Sequence, residues 1–176
     1  MASFGLADLG ANLNHLLLSA GLSCRSMLMI KYPEPAFRTK KENDKELLFD
    51  PLRKKWLSIT PEEWVRQNFV QYLVQVMNYP ATLIALEKEI WLGELKKRFD
   101  VLVYNKDHQP WMIVECKGTD IKLNDETLQQ ALRYNISVPA EYLVITNGHY
   151  SFGWQKKDGQ LIDIAELPEW GGEGGT

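Results

Sequence analysis

Phe99-Asp100-Val101-Leu102-Val103-Tyr104, then Asn105 to Pro110, then Trp111-Met112-Ile113-Val114-Glu115-Cys116-Lys117, reads as two strands joined by a turn. Both runs are rich in β-branched and aromatic residues, and the polar segment between them supplies the reversal. If Asn105 to Pro110 is the loop, Tyr104 faces Trp111, and antiparallel counting sets Asp100 opposite Glu115. Alternation puts Asp100, Leu102 and Tyr104 on one face with Trp111, Ile113, Glu115 and Lys117. Val101, Val103, Met112, Val114 and Cys116 occupy the other face, which is core. Two carboxylates opposite each other repel. A divalent cation compensates well, because Mg²⁺ takes one or two carboxylates and completes its shell with waters and phosphate oxygens. Lys117, on the same face as Glu115, could hold or help deprotonate a water and stabilise charge on a phosphate. A Glu-x-Lys alone is an ordinary solvated pair. Asp100 in register with it is what suggests phosphodiester hydrolysis.

Working outward, Thr60-Pro61-Glu62-Glu63 combines an N-cap threonine, proline at the first helical position and glutamate at the third. Val65, Phe69, Tyr72, Leu73, Val76 and Met77 follow at helical spacing and predict an amphipathic helix over residues 61–77. Leu86 to Leu92 reads as a further strand before the hairpin, and residues 125–135 as a second helix capped by Asn124 or Asp125. Tyr142 to Thr146, His149 to Trp154 and Leu161 to Ile164 complete the strands, with Asn147-Gly148 as a hairpin signal. Helix, three strands, helix, then two or three strands is an α/β order with a central mixed sheet flanked by helices. Residues 32–55, rich in Pro, Lys, Asp and Asn, read as an irregular arm.

A chain of 176 residues suits one domain, since single domains run to about 50–250 residues. The expected division is a leader or misassigned start over residues 1–26, one domain over 27–165 and an acidic, Gly-rich flexible tail over 166–176. The net charge of −3 excludes an all-over basic coat, but five unopposed acids follow Lys157, and 20 basic residues stand against 18 acidic ones without them. No apolar run reaches the roughly 20 residues that span a bilayer. Cys24 and Cys116 have neither disulfide-framework nor zinc spacing, so a cytoplasmic setting is the simpler expectation.

Asp100, Glu115-Cys116-Lys117 and a following helix with Gln130 and Tyr134 in a Q-x-x-x-Y arrangement resemble the PD-(D/E)xK nuclease superfamily. The closer resemblance is to the N-terminal domain family of type I restriction enzyme R subunits. It is carried by residues 60–67, Lys97-Arg98-Phe99-Asp100, Val114 to Lys117, Gln130 to Asn135 and Ile145 to Gly148, and spans roughly residues 45–155. Phe99 stands where the name-giving proline would be. The resemblance implies a restriction-endonuclease-like fold and a DNA endonuclease dependent on Mg²⁺, with Mn²⁺ as a plausible substitute. It implies Asp100, Glu115 and the Cys116 backbone carbonyl as metal ligands, Lys117 as the catalytic lysine, and Gln130 beside them with Tyr134. Glu63 resembles the first-helix glutamate of the superfamily, although the capping box explains it equally well; Glu87 or Glu89 is a lesser candidate. Other subunits of a restriction or defence system are implied partners, but no phosphate-loop motif is present for a helicase motor. The runner-up is a catalytically weak or inactive DNA-binding or protein-interaction module.

For nucleic acid, Lys96, Lys97, Arg98, Lys122 and Arg133 are candidates to grip phosphates without reading sequence, with Tyr134 beside them. Tyr104 and Trp111 could stack bases, or pack against the first helix as core.

Overall fold

The computed structural model describes residues 26–171. The expected leader and Cys24 lie outside them, apart from residue 26. The protein is α/β. Three short strands, β1 (Thr39–Glu42), β2 (Lys45–Asp50) and β3 (Lys55–Ser58), precede helix α1 (Pro61–Gln75). After a 3-10 turn at Ala81–Leu83 come β4 (Ile84–Leu92), β5 (Leu95–Tyr104) and β6 (Pro110–Cys116). Helix α2 (Asp125–Asn135), β7 (Tyr142–Thr146), β8 (Ser151–Lys157) and β9 (Gln160–Ile164) follow.

Strands β4 to β9 form one six-stranded sheet in sequence order. All neighbours run antiparallel except β6 and β7, which pair in parallel. A parallel neighbour needs a crossover, and α2 is that connection. This mixed sheet between helices is consistent with a restriction-endonuclease-like fold.

Both faces of the sheet are core. Val65, Phe69 and Leu73 of α1 pack in one buried cluster with Val101, Val103, Met112, Val114, Cys116 and Val144. Leu128, Ala131 and Leu132 of α2 pack in another with Leu102, Ile113, Leu143, Ile145 and Trp154. The Thr60 side chain accepts the Glu63 N–H at 3.1 Å and Asn124 accepts that of Thr127 at 3.0 Å, so both helices begin at the caps their sequences indicate.

Three expectations are corrected. Residues 32–55 are not an irregular arm throughout: β1, β2 and β3 form a separate antiparallel sheet. Its inner face holds Leu48 and Asp50, both fully buried or nearly so, while the β1 residues are all exposed, which explains the weak pattern. The β5–β6 hairpin pairs Val101 with Val114, Leu102 with Ile113 and Val103 with Met112, then slips so that Tyr104 faces Pro110. This bulge turns Trp111 to the α1 face, against Tyr79 and Tyr142, instead of beside Tyr104. At 7% exposure Trp111 cannot stack a base, and Tyr104 packs half-buried against the α2-side cluster. The start of the expected tail also packs: Leu167 is buried, the Tyr79 hydroxyl donates to the Pro168 carbonyl, and Trp170 donates to that of Tyr104 at 3.2 Å.

Candidate active site

The site forms where the start of α1 meets one end of the β5–β6 hairpin. The β4–β5 ladder pairs Leu86 with Val101 and Lys88 with Phe99, but between them Glu87 and Asp100 are not paired. Glu87 has a φ of +54°, a left-handed conformation rare for a residue with a side chain. The interruption coincides with the site, where such local strain is most often retained. The hairpin ladder likewise begins at Val101 and Val114, one step from Asp100 and Glu115. There Asp100 Oδ2 accepts the Cys116 N–H at 2.8 Å, so the side chain stands in for a ladder bond.

Glu115 and Lys117 are joined, Nζ to Oε1, at 2.8 Å. Burial raises the Glu115 carboxyl above its usual range, and the charge of Asp100 adds to this, while Lys117 partly opposes both. Burial works against the Lys117 ammonium, but its hydrogen bond to Glu115 and the charges of Glu115, Asp100 and Glu62 outweigh it, so its pKa is raised. Cys116 is buried and free, and burial pushes its thiol well above the ordinary value, which fits a core residue rather than a nucleophile.

Glu62, Glu87 and Asp100 each present an oxygen within 4.8 Å of the others. Carboxylate oxygens with no imidazole or thiolate fit a hard cation such as Mg²⁺ or Mn²⁺. Arg66, only 3% exposed, lies among them. Its Nη2 is 2.6 Å from Glu62 Oε1, 2.8 Å from Glu87 Oε1 and 2.9 Å from Asp100 Oδ1. Burial alone would lower the Arg66 pKa, but Asp100 and Glu63 raise it further than burial lowers it.

Glu63 is oriented differently. Its carboxylate is held by Arg53, by Arg66 Nη1 and by Gln67 at 2.9 Å, and Arg53 also pairs with buried Asp50. The first-helix glutamate beside Asp100 is therefore Glu62, not Glu63. Of the two strand candidates, Glu87 joins the cluster and Glu89 pairs with Lys96 at 2.6 Å. Gln130 is exposed on α2 and makes no hydrogen bond to Asp100, Glu115 or Lys117. Arg66 and Glu62 were missed; their i, i+4 spacing on a helix whose neighbour Glu63 already served as a cap was the available signal.

The expected basic cluster is largely engaged. Lys97 is 8% exposed, donates to the Tyr134 carbonyl and, at 3.0 Å, to Ser137, and so closes the C-terminal end of α2. Arg98 pairs with Glu87, and its backbone N–H donates to the Tyr134 hydroxyl at 3.4 Å. Lys122, Arg133 and Tyr134 are exposed.

No helix among the described residues is long and apolar enough to cross a membrane. Residues 61–168 match the family described as the type I restriction enzyme R protein N terminus. No curated protein matches the chain.

Proposed function

The chain belongs to the family of type I restriction enzyme R protein N-terminal domains, and from that premise we propose that it is a metal-dependent DNA endonuclease of the PD-(D/E)xK type. The observation that carries this reading is the meeting of Asp100, Glu115 and Lys117 at one end of the hairpin, with Glu62 and Glu87 beside Asp100. Asp100 and Glu115, with the Cys116 carbonyl and Glu62, would hold Mg²⁺ or Mn²⁺. When bound, such an ion neutralises charge on a scissile phosphate and favours the ionised form of an attacking water. Lys117, beside Glu115, would bind and orient a phosphate oxygen or the attacking water and stabilise charge on the phosphate. Glu115 holds that ammonium in place. Exposed Lys122, Arg133 and Tyr134 remain available to the DNA backbone.

Incubation with supercoiled plasmid and single-stranded DNA in Mg²⁺, Mn²⁺ or EDTA tests this. Cleavage should require the metal and fall by about a hundredfold or more in Asp100→Asn, Glu115→Gln and Lys117→Ala, the scale of losing one transition-state contact. Equal cleavage by all three variants would sink the assignment. The engagement of the carboxylates by Arg66 favours a second reading, a nuclease fold that binds DNA without cutting it. Salt-sensitive DNA binding with no cleavage in any metal is its signature.

A further inference from the structure

We propose that Arg66 is the resident cation of this site: it holds Glu62, Glu87 and Asp100 together in the metal-free protein and must leave them when a divalent ion binds. The proposal rests on the reading of Asp100 as a metal ligand. Three carboxylate oxygens within 4.8 Å of one another repel unless a cation lies between them. Arg66 Nη2 is that cation, at 2.6, 2.8 and 2.9 Å from the three.

The occupant fits imperfectly. Nη2 carries two protons but meets three carboxylate oxygens. Glu62 and Asp100 accept its hydrogen bonds, while Glu87 feels only its charge and pairs through its other oxygen with Arg98. Arg66 Nε, buried, has no hydrogen-bond partner among the described residues, so the guanidinium is placed by the carboxylates and not by its own full satisfaction. A divalent ion would carry twice the charge and, needing no protons, could take Asp100 and Glu62 as ligands while offsetting Glu87 by its charge. Arg66 would retain Glu63 through Nη1, so departure of Nη2 need not expel the side chain from the fold. A site preorganised by a monovalent stand-in avoids the repulsion of an empty acidic cluster, but the stand-in competes with the metal. Arg66 is a positioning residue on this account.

Calorimetric titration of the metal-free full chain with Mn²⁺ tests it. If the Arg66-free arrangement is about a tenth of the population or less, Arg66→Gln should bind Mn²⁺ about tenfold tighter or more. Equal or weaker binding would overturn the proposal and leave the metal-site reading intact. Binding by neither protein would overturn both. If Arg66→Gln does not fold without metal, recovery of a cooperative melt with Mn²⁺ but not with EDTA supports the proposal, and a chain that stays unfolded in saturating Mn²⁺ contradicts it. In the unaltered protein, the ¹⁵Nε resonance of Arg66 should move and saturate as Mg²⁺ is added; a resonance that stays fixed while Mg²⁺ binds would also refute displacement.

Discussion

Helices α1 and α2 cover opposite faces of one sheet, yet they bury different chemistry. Helix α2 buries Leu128, Ala131, Leu132 and Asn135 and presents Arg133 and Tyr134 to solvent, the division expected of an amphipathic element. Helix α1 buries Glu63, Arg66, Gln67 and Gln71 along with its apolar stripe. Each of these has partners: Gln71, for example, donates to the Glu34 carbonyl at 2.9 Å and accepts the Ala36 N–H at 3.3 Å. The segment before α1 and the three-stranded sheet shield what would otherwise be its solvated side. Their ends differ in the same sense. The start of α1 gathers carboxylates around two arginines, while the last turn of α2 is closed by Lys97 and by Lys156, which donates to the carbonyls of Ile136, at 2.9 Å, and Val138. One helix mainly stabilises the sheet and the other mainly shapes the site, a division that substitutions can break.

The largest effect is expected on the α2 face. Leu132→Ala should lower unfolding stability by about 2–5 kcal/mol, the range for a truncated core leucine, with Mn²⁺ affinity unchanged in the folded fraction. Weakened metal binding in that variant would mean the two faces are coupled.

A smaller effect is expected from Lys156, whose pKa is lowered to about 8, first by burial and then by the charge of Lys97. The unfolded chain therefore binds more protons than the folded one between about pH 8 and its ordinary value near 10.5, so stability rises with pH across that window. The rise should be on the order of 2 kcal/mol and should shrink in Lys156→Met, which leaves the smaller part due to buried Lys97. Urea denaturation at a series of pH values measures it; a flat profile in the unaltered protein would argue against the burial of that charge.

The smallest effect separates the caps. Thr60→Ala and Asn124→Ala should each cost about 1 kcal/mol. Only Thr60→Ala should also alter Mn²⁺ affinity, because its hydroxyl fixes the first turn that carries Glu62 and Glu63. Equal metal affinity in both variants would show that the cap and the site are independent.

Local signals made much of this readable from the chain. The alternation on each side of Asn105 to Pro110 was enough to bring Asp100 and Glu115 to the same hairpin position, and the caps marked both helix starts. What escaped depends on contacts far apart in sequence. Whether Glu62 or Glu63 reaches Asp100 depends on Arg53 taking Glu63, and Arg53 belongs to a turn after a strand whose polar, exposed partner hid the sheet. Lys97 looked like a surface lysine until α2, nearly forty residues later, closed over it. The bulge beyond Val103 moved Trp111 to the other face by one residue, a shift no alternation pattern can register.

The parallel pairing of β6 with β7 also has a consequence for how the protein is made. Glu62, Arg66, Glu87, Asp100, Glu115 and Lys117 are all synthesised before α2 and β7, so the acidic cluster can emerge before the strand that completes its surroundings. Until the crossover returns β7 to it, β6 has an open edge, and parallel pairing across an intervening helix is among the slower steps of folding. During that interval, Glu115 and Lys117 lie on or beside a strand whose open edge could pair with a neighbouring chain, so the early site borders one hazard of misassembly.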